Sequence, residues 1–362
     1  MRKLTGLAAV LLALSLLCLP AQAVGTNAAS AILMDAESGR VLYQHDAHRP
    51  RLIASTTKLL TALVAVERAG DLDQVVTVKG EWLGSEGSSI YLKAGEQITL
   101  RSLLYGLLLQ SGNDAAMAIA CHTAGDVETF VALMNEKAVK LGMKDSSFAN
   151  PSGLNDDNHY STAYDMALLA QACLKNETVA EICATRSITV GTRTFVNHNK
   201  LLWSCPGCVG MKTGFTEKAG RTLVSAATRE GMTLVCTTLS DGNDWNDHMA
   251  LLDYGFANYR METAVPAGRA LASALVREGT AVSVPLAAAD DLRYPLTGDE
   301  RLTVVARAPV FLSAPVVPGQ VVGEVCAYLE GEEVAKVDLV AAAPSAKKET
   351  PLDPIHWWDK AF

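Results

Sequence analysis

Hydrophobic residues follow two different patterns along this chain of 362 residues. Residues 31–34 and 41–43 are apolar runs on either side of a turn at Gly39, so we predict a β-hairpin there. Residues 99–109 instead carry leucines at i, i+3 and i+4, the spacing of one buried helix face. Residues 54–68 form a second apolar, helix-forming run, which opens with polar residues. The chain therefore combines strands and helices.

The order of these patterns predicts an α+β fold. Helical patterns fill most of the block from 99 to 183, and a helix is also predicted from about Trp245 to Tyr259. Short strands are predicted at 75–78, 88–92, 187–190, 193–196 and 209–216, and a hairpin joins 223–228 to 233–239.

The pattern changes after Met261. Four apolar segments follow, separated by Gly, Pro and acidic turns, which is typical of a small all-β domain. We therefore divide the chain into residues 1–23, a first domain at 24–261, a β-rich domain at 262–343 and a tail at 344–362. The tail ends with a Trp357-Trp358 pair, for which two interpretations stay open: weak peripheral membrane contact, or a disordered or partner-docking segment.

The first 23 residues have the three regions of a secretory signal peptide. Arg2 and Lys3 precede an apolar run of about 13 residues, which is shorter than the ~20 residues that span a bilayer. Ala21-Gln22-Ala23 supplies the small residues of a cleavage site. We predict export. Cleavage changes the net charge from −8 to −10, so nucleic acid is not an expected partner.

Seven cysteines remain after cleavage, and an odd number cannot all pair internally. Cys205 and Cys208 form a C-x-x-C, but no second pair follows at zinc-ribbon spacing. Either a disulfide that closes a tight turn or two plain thiols would fit. No metal and no cofactor are predicted.

Ser55 and Lys58, three residues apart, open the apolar helix predicted at residues 54–68. Residues i and i+3 of a helix lie on one face, so the Lys58 amine can stand beside the Ser55 hydroxyl. A serine hydroxyl needs a neighbouring base to become a nucleophile, and a lysine whose pKa is lowered by burial and by a second cation can serve. Backbone N–H groups in the first helical turn could stabilise an oxyanion.

Two further signals follow in order: Ser111-Gly112-Asn113 in a loop between two predicted helices, and Lys212-Thr213-Gly214 in a predicted strand. Each signal is weak alone. A chain of this length contains about one S-x-x-K by chance, and Ser345-Ala346-Lys347-Lys348 is a second match. Their conjunction, each in the expected setting, is a strong signal.

With these three elements the chain resembles the penicillin-recognising serine enzymes. The extended matches Ile32–Gly39, Leu104–Ala116 and Asn150–Leu154 make it similar to one branch, the low-molecular-mass penicillin-binding proteins that are serine-type D-alanyl-D-alanine carboxypeptidases. The resemblance covers residues 25 to about 260. It implies a five-stranded antiparallel sheet flanked by helices plus a helical lobe, with the site between them, and the β-rich segment as an accessory domain.

The resemblance also implies roles for these residues in removing the terminal D-alanine from peptidoglycan stem peptides. Ser55 would form the acyl-enzyme, Lys58 would take its proton and Ser111 would relay that proton to the leaving amine. Asn113 would hold the substrate amide and Lys58, while Lys212 and Thr213 of the Lys212–Gly214 element would receive the terminal carboxylate. The backbone N–H groups of Ser55 and Phe215 would form the oxyanion hole. β-Lactam antibiotics would acylate Ser55.

The chain departs from some members of this family at two positions. Phe215 stands where some carry His, and Asn243-Asp244-Trp245 stands where some carry an arginine before the closing helix. His159 and His198 lie near the motif loops and are interpreted as structural. Three alternatives stay open: an endopeptidase that cuts cross-links, a catalytically idle peptidoglycan-binding or sensor domain, and a class A β-lactamase, whose E-x-x-L-N element does not occur here.

Overall fold

The computed structural model describes residues Val24 to Glu349, so the predicted leader and residues 350–362 of the tail lie outside it. The described chain forms two compact units. The first comprises the residues up to Met34, Val41–Thr228 and Leu234–Gly255, and the second comprises Asp35–Arg40, Arg229–Thr233 and the residues from Phe256 onward. In chain order, the first unit's elements are β1 (Ser30–Asp35), β2 (Val41–His45), α1 (Lys58–Arg68), β3 (Val75–Thr77), β4 (Gln97–Thr99), α2 (Leu100–Leu109), α3 (Asn113–Ala124), α4 (Val127–Lys140), α5 (Ala163–Lys175), α6 (Glu177–Ala184), β5 (Ser187–Val190), β6 (Arg193–Val196), α7 (Leu201–Ser204), β7 (Cys208–Thr216), β8 (Gly220–Arg229), β9 (Met232–Leu239) and α8 (Asp244–Asn258).

A five-stranded sheet in the order β2-β1-β9-β8-β7 forms one layer of the first unit, which confirms the predicted antiparallel sheet. α8 packs on it at Gly255 and at His248. A Cβ on Gly255 would lie 2.5 Å from the Leu234 side chain, so glycine lets the helix approach the sheet this closely. His248 is buried, and its ring nitrogens lie 2.6 Å from Ser225 Oγ on β8 and 3.0 Å from Thr238 Oγ1 on β9.

The other layer is a helical lobe built around α1. Every residue of α1 from Lys58 to Ala65 is buried, and the helix contacts α2, α3, α4, α5 and α6. Thr99 caps α2 by accepting a hydrogen bond from Ser102 N. α6 packs against β7 and so connects the lobe to the last strand of the sheet.

The second unit is all-β, as predicted. Its elements are β10 (Arg260–Val265), β11 (Ala270–Arg277), β12 (Ser283–Ala288), β13 (Leu292–Leu296), β14 (Thr303–Arg307), β15 (Phe311–Ser313), β16 (Val321–Leu329) and β17 (Glu332–Ala341). β10 pairs with β13, and the other six strands form a sheet in the order β14-β16-β17-β12-β11-β15. Its core contains buried apolar side chains that include Leu286, Val325 and Leu339.

One prediction of secondary structure is wrong. Residues 88–92 form no strand, because their backbone groups bond to side chains: Asp114 accepts from Ile90 N at 3.0 Å, and Arg193 donates to the Ile90 carbonyl at 3.0 Å. The helix α6 lies within the predicted helical block but was not predicted as a separate helix, since it begins directly after α5 with only Asn176 between them. Among residues 24–349 no helix is long and apolar enough to cross a bilayer, and the seven cysteines form no disulfide.

Candidate active site

Ser55 lies in a 3₁₀ turn, Ala54–Thr57, that runs directly into α1. The sequence predicts an ordinary first helical turn here, and the tighter turn is entered through Ala54 at φ +47°. Lys58, one turn further, places its Nζ 2.8 Å from Ser55 Oγ. The i, i+3 spacing therefore brings the two side chains together, as it predicts.

Lys58 is buried in surroundings that favour its neutral form. Its side chain is 0% exposed, and burial, followed by the charge of Lys212, holds its pKa well below the usual range, while Asp114 acts in the opposite direction. Nζ also donates to the carbonyl of Ser152 at 2.6 Å. A neutral amine fixed by one donated bond keeps its lone pair for the Ser55 hydroxyl proton.

The loop Asn150–Leu154 supplies that carbonyl and is organised by one side chain. Asn150 Oδ1 accepts from Gly153 N at 2.8 Å and also from Ser152 N, Ser152 Oγ and Leu154 N. A second carbonyl of the loop, that of Pro151, accepts from Thr61 Oγ1 on α1 at 2.7 Å. The sequence indicated this loop as a family match, but a backbone carbonyl leaves no residue signature, so its contact with Lys58 was missed.

A chain of three hydrogen bonds ends at the residue before Ser55. Ala149 N donates to His159 Nδ1 at 3.1 Å, so Nε2 carries the proton and donates to Thr57 Oγ1 at 2.7 Å. Thr57 Oγ1 donates in turn to the Ala54 carbonyl at 2.8 Å. Burial lowers the pKa of His159 to about 4, which keeps the ring neutral and preserves this direction. His159 has the structural role that the sequence analysis gave it, and it supports the turn that carries Ser55.

Ser111 occupies the tight loop between α2 and α3 with φ +61°, a conformation that side chains seldom adopt. Asn113, at the start of α3, donates its Nδ2 to the Glu86 carbonyl. Its Oδ1 is buried and has no hydrogen-bond partner among residues 24–349. Asp114 accepts from Ser89 Oγ at 2.7 Å, so the start of α3 also fixes the loop before Leu92.

β7 carries Lys212, Thr213 and Gly214 past the Ser55 turn. A Cβ on Gly214 would lie 3.0 Å from Ser55 N and 2.3 Å from Thr222 Oγ1 on β8, so a glycine is required for this approach. Thr222 Oγ1 donates to the Ile53 carbonyl at 3.1 Å and ties β8 to the same turn. Phe215, which follows Gly214 on β7, is 62% exposed.

Lys212 is 1% exposed and donates its Nζ to the Thr213 carbonyl at 2.7 Å. Burial lowers its pKa to about 7 from an ordinary value of 10.5. The amine therefore gives up part of its charge near neutral pH. It lies close enough to Lys58 to lower the pKa of that residue further.

Lys212→Met is expected to raise the free energy of unfolding at pH 7 by roughly 1–3 kcal/mol, because it removes a buried charge. Between about pH 7 and pH 10.5 the unfolded chain holds this proton and the folded chain does not. Wild-type stability therefore rises with pH through this window and that of Lys212→Met lacks this contribution. Denaturant unfolding of both proteins across the window should show a shrinking difference. A constant difference would contradict the lowered pKa.

A cleft of about 500 Å³ brings several of the predicted residues together. Ser55, Ser111, Thr213, Gly214 and Phe215 line it, whereas Lys58, Asn113 and Lys212 lie behind its wall. Residues that the motifs did not predict also line the cleft: Ser88, Asn197, His198, Lys200, Arg221 and Trp245.

This fold, with a serine hydroxyl beside a buried lysine amine at the edge of a cleft, is that of a serine hydrolase. The comparison with protein families agrees: the model described as D-alanyl-D-alanine carboxypeptidase matches residues 19–243, and the model for the C-terminal domain of penicillin-binding protein 5 matches residues 259–345. The chain belongs to the D-alanyl-D-alanine carboxypeptidase family, peptidase family S11, and is a serine hydrolase.

Named relatives and solved structures cover most of the chain. The D-alanyl-D-alanine carboxypeptidase DacF of Bacillus subtilis is 31% identical over 89% of this chain and 86% of its own length, and DacC of Escherichia coli is 33% identical over 88% and 84%. The structure of penicillin binding protein 5 from Haemophilus influenzae superimposes with a TM-score of 0.77 at 29% identity, over 89% of this chain and 98% of that one. The predicted family and fold are confirmed.

Proposed function

We propose that this protein is exported and removes the terminal D-alanine from peptidoglycan stem pentapeptides through an acyl-enzyme on Ser55, and that β-lactams acylate the same serine. The observation that carries this proposal is the 2.8 Å distance between Ser55 Oγ and a buried Lys58 Nζ beside a cleft. Export rests on the sequence of residues 1–23.

The reaction has two halves. Ser55 Oγ attacks the carbonyl carbon of the penultimate D-alanine while Lys58 accepts the hydroxyl proton. The C–N bond to the terminal D-alanine then breaks, and Ser111, which lines the cleft, passes the proton to the leaving amine. Water, deprotonated by Lys58, hydrolyses the ester and releases the shortened peptide and free Ser55.

Binding uses the residues around this pair. The N–H groups of Ser55 and Phe215 stabilise the oxyanion, which is supported by the close approach of Gly214 to Ser55 N. The buried Oδ1 of Asn113, with no partner among the described residues, is available to the substrate amide or to Lys58. Thr213 hydrogen-bonds the terminal carboxylate, and Lys212 adds positive charge behind it.

One substrate and one inhibitor test the proposal. The purified protein should release free D-alanine from a peptide that ends in D-Ala-D-Ala, and preincubation with benzylpenicillin should abolish that release. A penicilloyl adduct should appear by mass spectrometry on Ser55 within the tryptic peptide Leu52–Lys58. Ser345, the chance match, is buried and should carry no adduct.

Other outcomes would redirect the assignment. Cleavage of a cross-linked dimer without release of D-alanine would make the protein an endopeptidase. An adduct with no turnover of either substrate would favour a penicillin-binding sensor, and rapid release of hydrolysed penicillin would favour a β-lactamase. Folded protein that neither turns over nor is labelled would contradict the proposal.

A further inference from the structure

Arg221 places a cation in the active-site cleft that none of the three motifs predicts. It lies on β8 directly opposite Phe215 on β7, and partners in an antiparallel pair project to the same face of a sheet. Arg221 accordingly lines the cleft together with Ser55, Thr213 and Trp245.

The guanidinium is held in one orientation before any ligand binds. Its Nη2 donates to both carboxylate oxygens of Asp244, at 2.9 and 2.8 Å, and its Nε donates to Oδ2 at 3.1 Å. Its Cζ lies 5.3 Å from the centre of the Trp245 ring. The Asp244 side chain is only 2% exposed, and its Oδ1 also accepts from Trp245 N at 2.9 Å. The Asp244 carboxylate thus points into the protein interior.

One edge of this guanidinium remains available. Nη1 makes no hydrogen bond with any residue between Val24 and Glu349, and the Arg221 side chain is 39% exposed. A planar group with free N–H donors suits a carboxylate. Asp244 offsets the net charge of the pair, so what Arg221 offers the cleft is a fixed, permanently charged donor at short range.

The other cations near the cleft fit this task less well. Lys212 is buried, its Nζ is bonded to the Thr213 carbonyl, and its pKa is about 7. Burial and the charge of Lys212 lower the pKa of His198, which favours its neutral form. Lys200 is exposed, and no partner among the described residues fixes its amine.

We propose that Arg221, held by Asp244 and Trp245, binds the C-terminal carboxylate of the peptide substrate and the corresponding carboxylate of a β-lactam. Arg221 is then a specificity-determining residue that selects peptides with a free C-terminus over internal or amidated ones. The inference rests on the proposed function for the identity of the substrate.

The test compares ligands that differ only in this carboxylate. Steady-state rates are measured on a peptide ending in D-Ala-D-Ala and on its C-terminal amide, and acylation rates on benzylpenicillin and its methyl ester. Arg221→Gln should lower kcat/KM for the free acid, and acylation by benzylpenicillin, by about 10- to 100-fold, the scale of hydrogen bonds to a charged group. The amide and the ester should change by less than about threefold. Arg221→Lys should fall in between.

Two further variants separate binding from structure. Lys200→Gln removes a charge from the same cleft and should leave the acid-to-amide ratio unchanged within about threefold. Asp244→Asn frees the guanidinium without removing it and should keep most of the preference for the acid. Equal losses by Arg221→Gln on acid and amide, or no loss on either, would overturn the inference, since the ion pair would then only anchor α8.

The two proposals fail in different ways. If the wild type releases no D-alanine but is acylated by benzylpenicillin, the carboxypeptidase proposal fails and the penicillin and ester pair still decides the role of Arg221. If the wild type is neither active nor acylated, both are overturned. Thermal melting of each variant shows whether a loss reflects unfolding, and Arg221→Lys provides the comparison if Arg221→Gln does not fold.

Discussion

A Lys58→Met enzyme is expected to be acylated by β-lactams about 10²–10⁴-fold more slowly than the wild type, with a similar loss in D-alanine release. Methionine has nearly the length of lysine and suits the buried site, so the change removes the base and leaves the volume filled. Ser55 would keep its turn and its place at the cleft but would lose the amine, 2.8 Å away, that is proposed to take its proton. The rate of labelling by a fluorescent penicillin, with thermal melting alongside, measures both effects.

Lys58→Arg is the matched control for charge. Arginine stays protonated, so it supplies a permanent positive charge near Ser55 but cannot act as a base. Both variants should therefore be slow, and wild-type acylation should decline as the pH falls and Lys58 gains its proton. Labelling by Lys58→Arg at a rate near that of the wild type would show that Lys58 acts as a charge and not as a base.

Features set by short-range patterns were predictable from the sequence. The spacing of Ser55 and Lys58 and the leucine periodicity of α2 each act within one or two helical turns, and the structure contains both. The same holds for the strand that carries Lys212–Gly214, because its neighbours in the hairpin also follow a clear pattern.

Features that depend on long-range contacts were not predictable. Residues 88–92 look like a strand, but Asp114, more than 20 residues away, takes their N–H groups. The contact of Lys58 with the Ser152 carbonyl and the ion pair of Arg221 with Asp244 are backbone or tertiary contacts that no spacing rule in the sequence predicts. These contacts orient residues of the site, whereas the motifs contain the residues that are proposed to react.

Gly153→Ala is expected to destabilise the protein by about 2–4 kcal/mol and to reduce acylation of Ser55 by more than tenfold. Gly153 has φ +88°, and a Cβ there would lie 1.9 Å from the Ala54 carbonyl oxygen and 2.9 Å from Thr57 Oγ1. Either the loop that holds Lys58 or the turn that holds Ser55 must therefore move. Both movements separate the base from the nucleophile.

Gly125→Ala is the control that separates the effect of the steric clash at Gly153 from the effect of a side chain at positive φ. Gly125 follows α3 with φ +91°, nearly the same φ as Gly153, but a Cβ there would meet no atom within 4 Å. This change should cost only about 1 kcal/mol and leave acylation near the wild-type rate. Acylation measured well below the melting temperature of each variant is the decisive comparison, because a displaced turn loses activity while the protein is still folded. If Gly153→Ala matched Gly125→Ala in both stability and acylation, the packing of the Asn150–Leu154 loop against the Ser55 turn would not be what positions the catalytic pair.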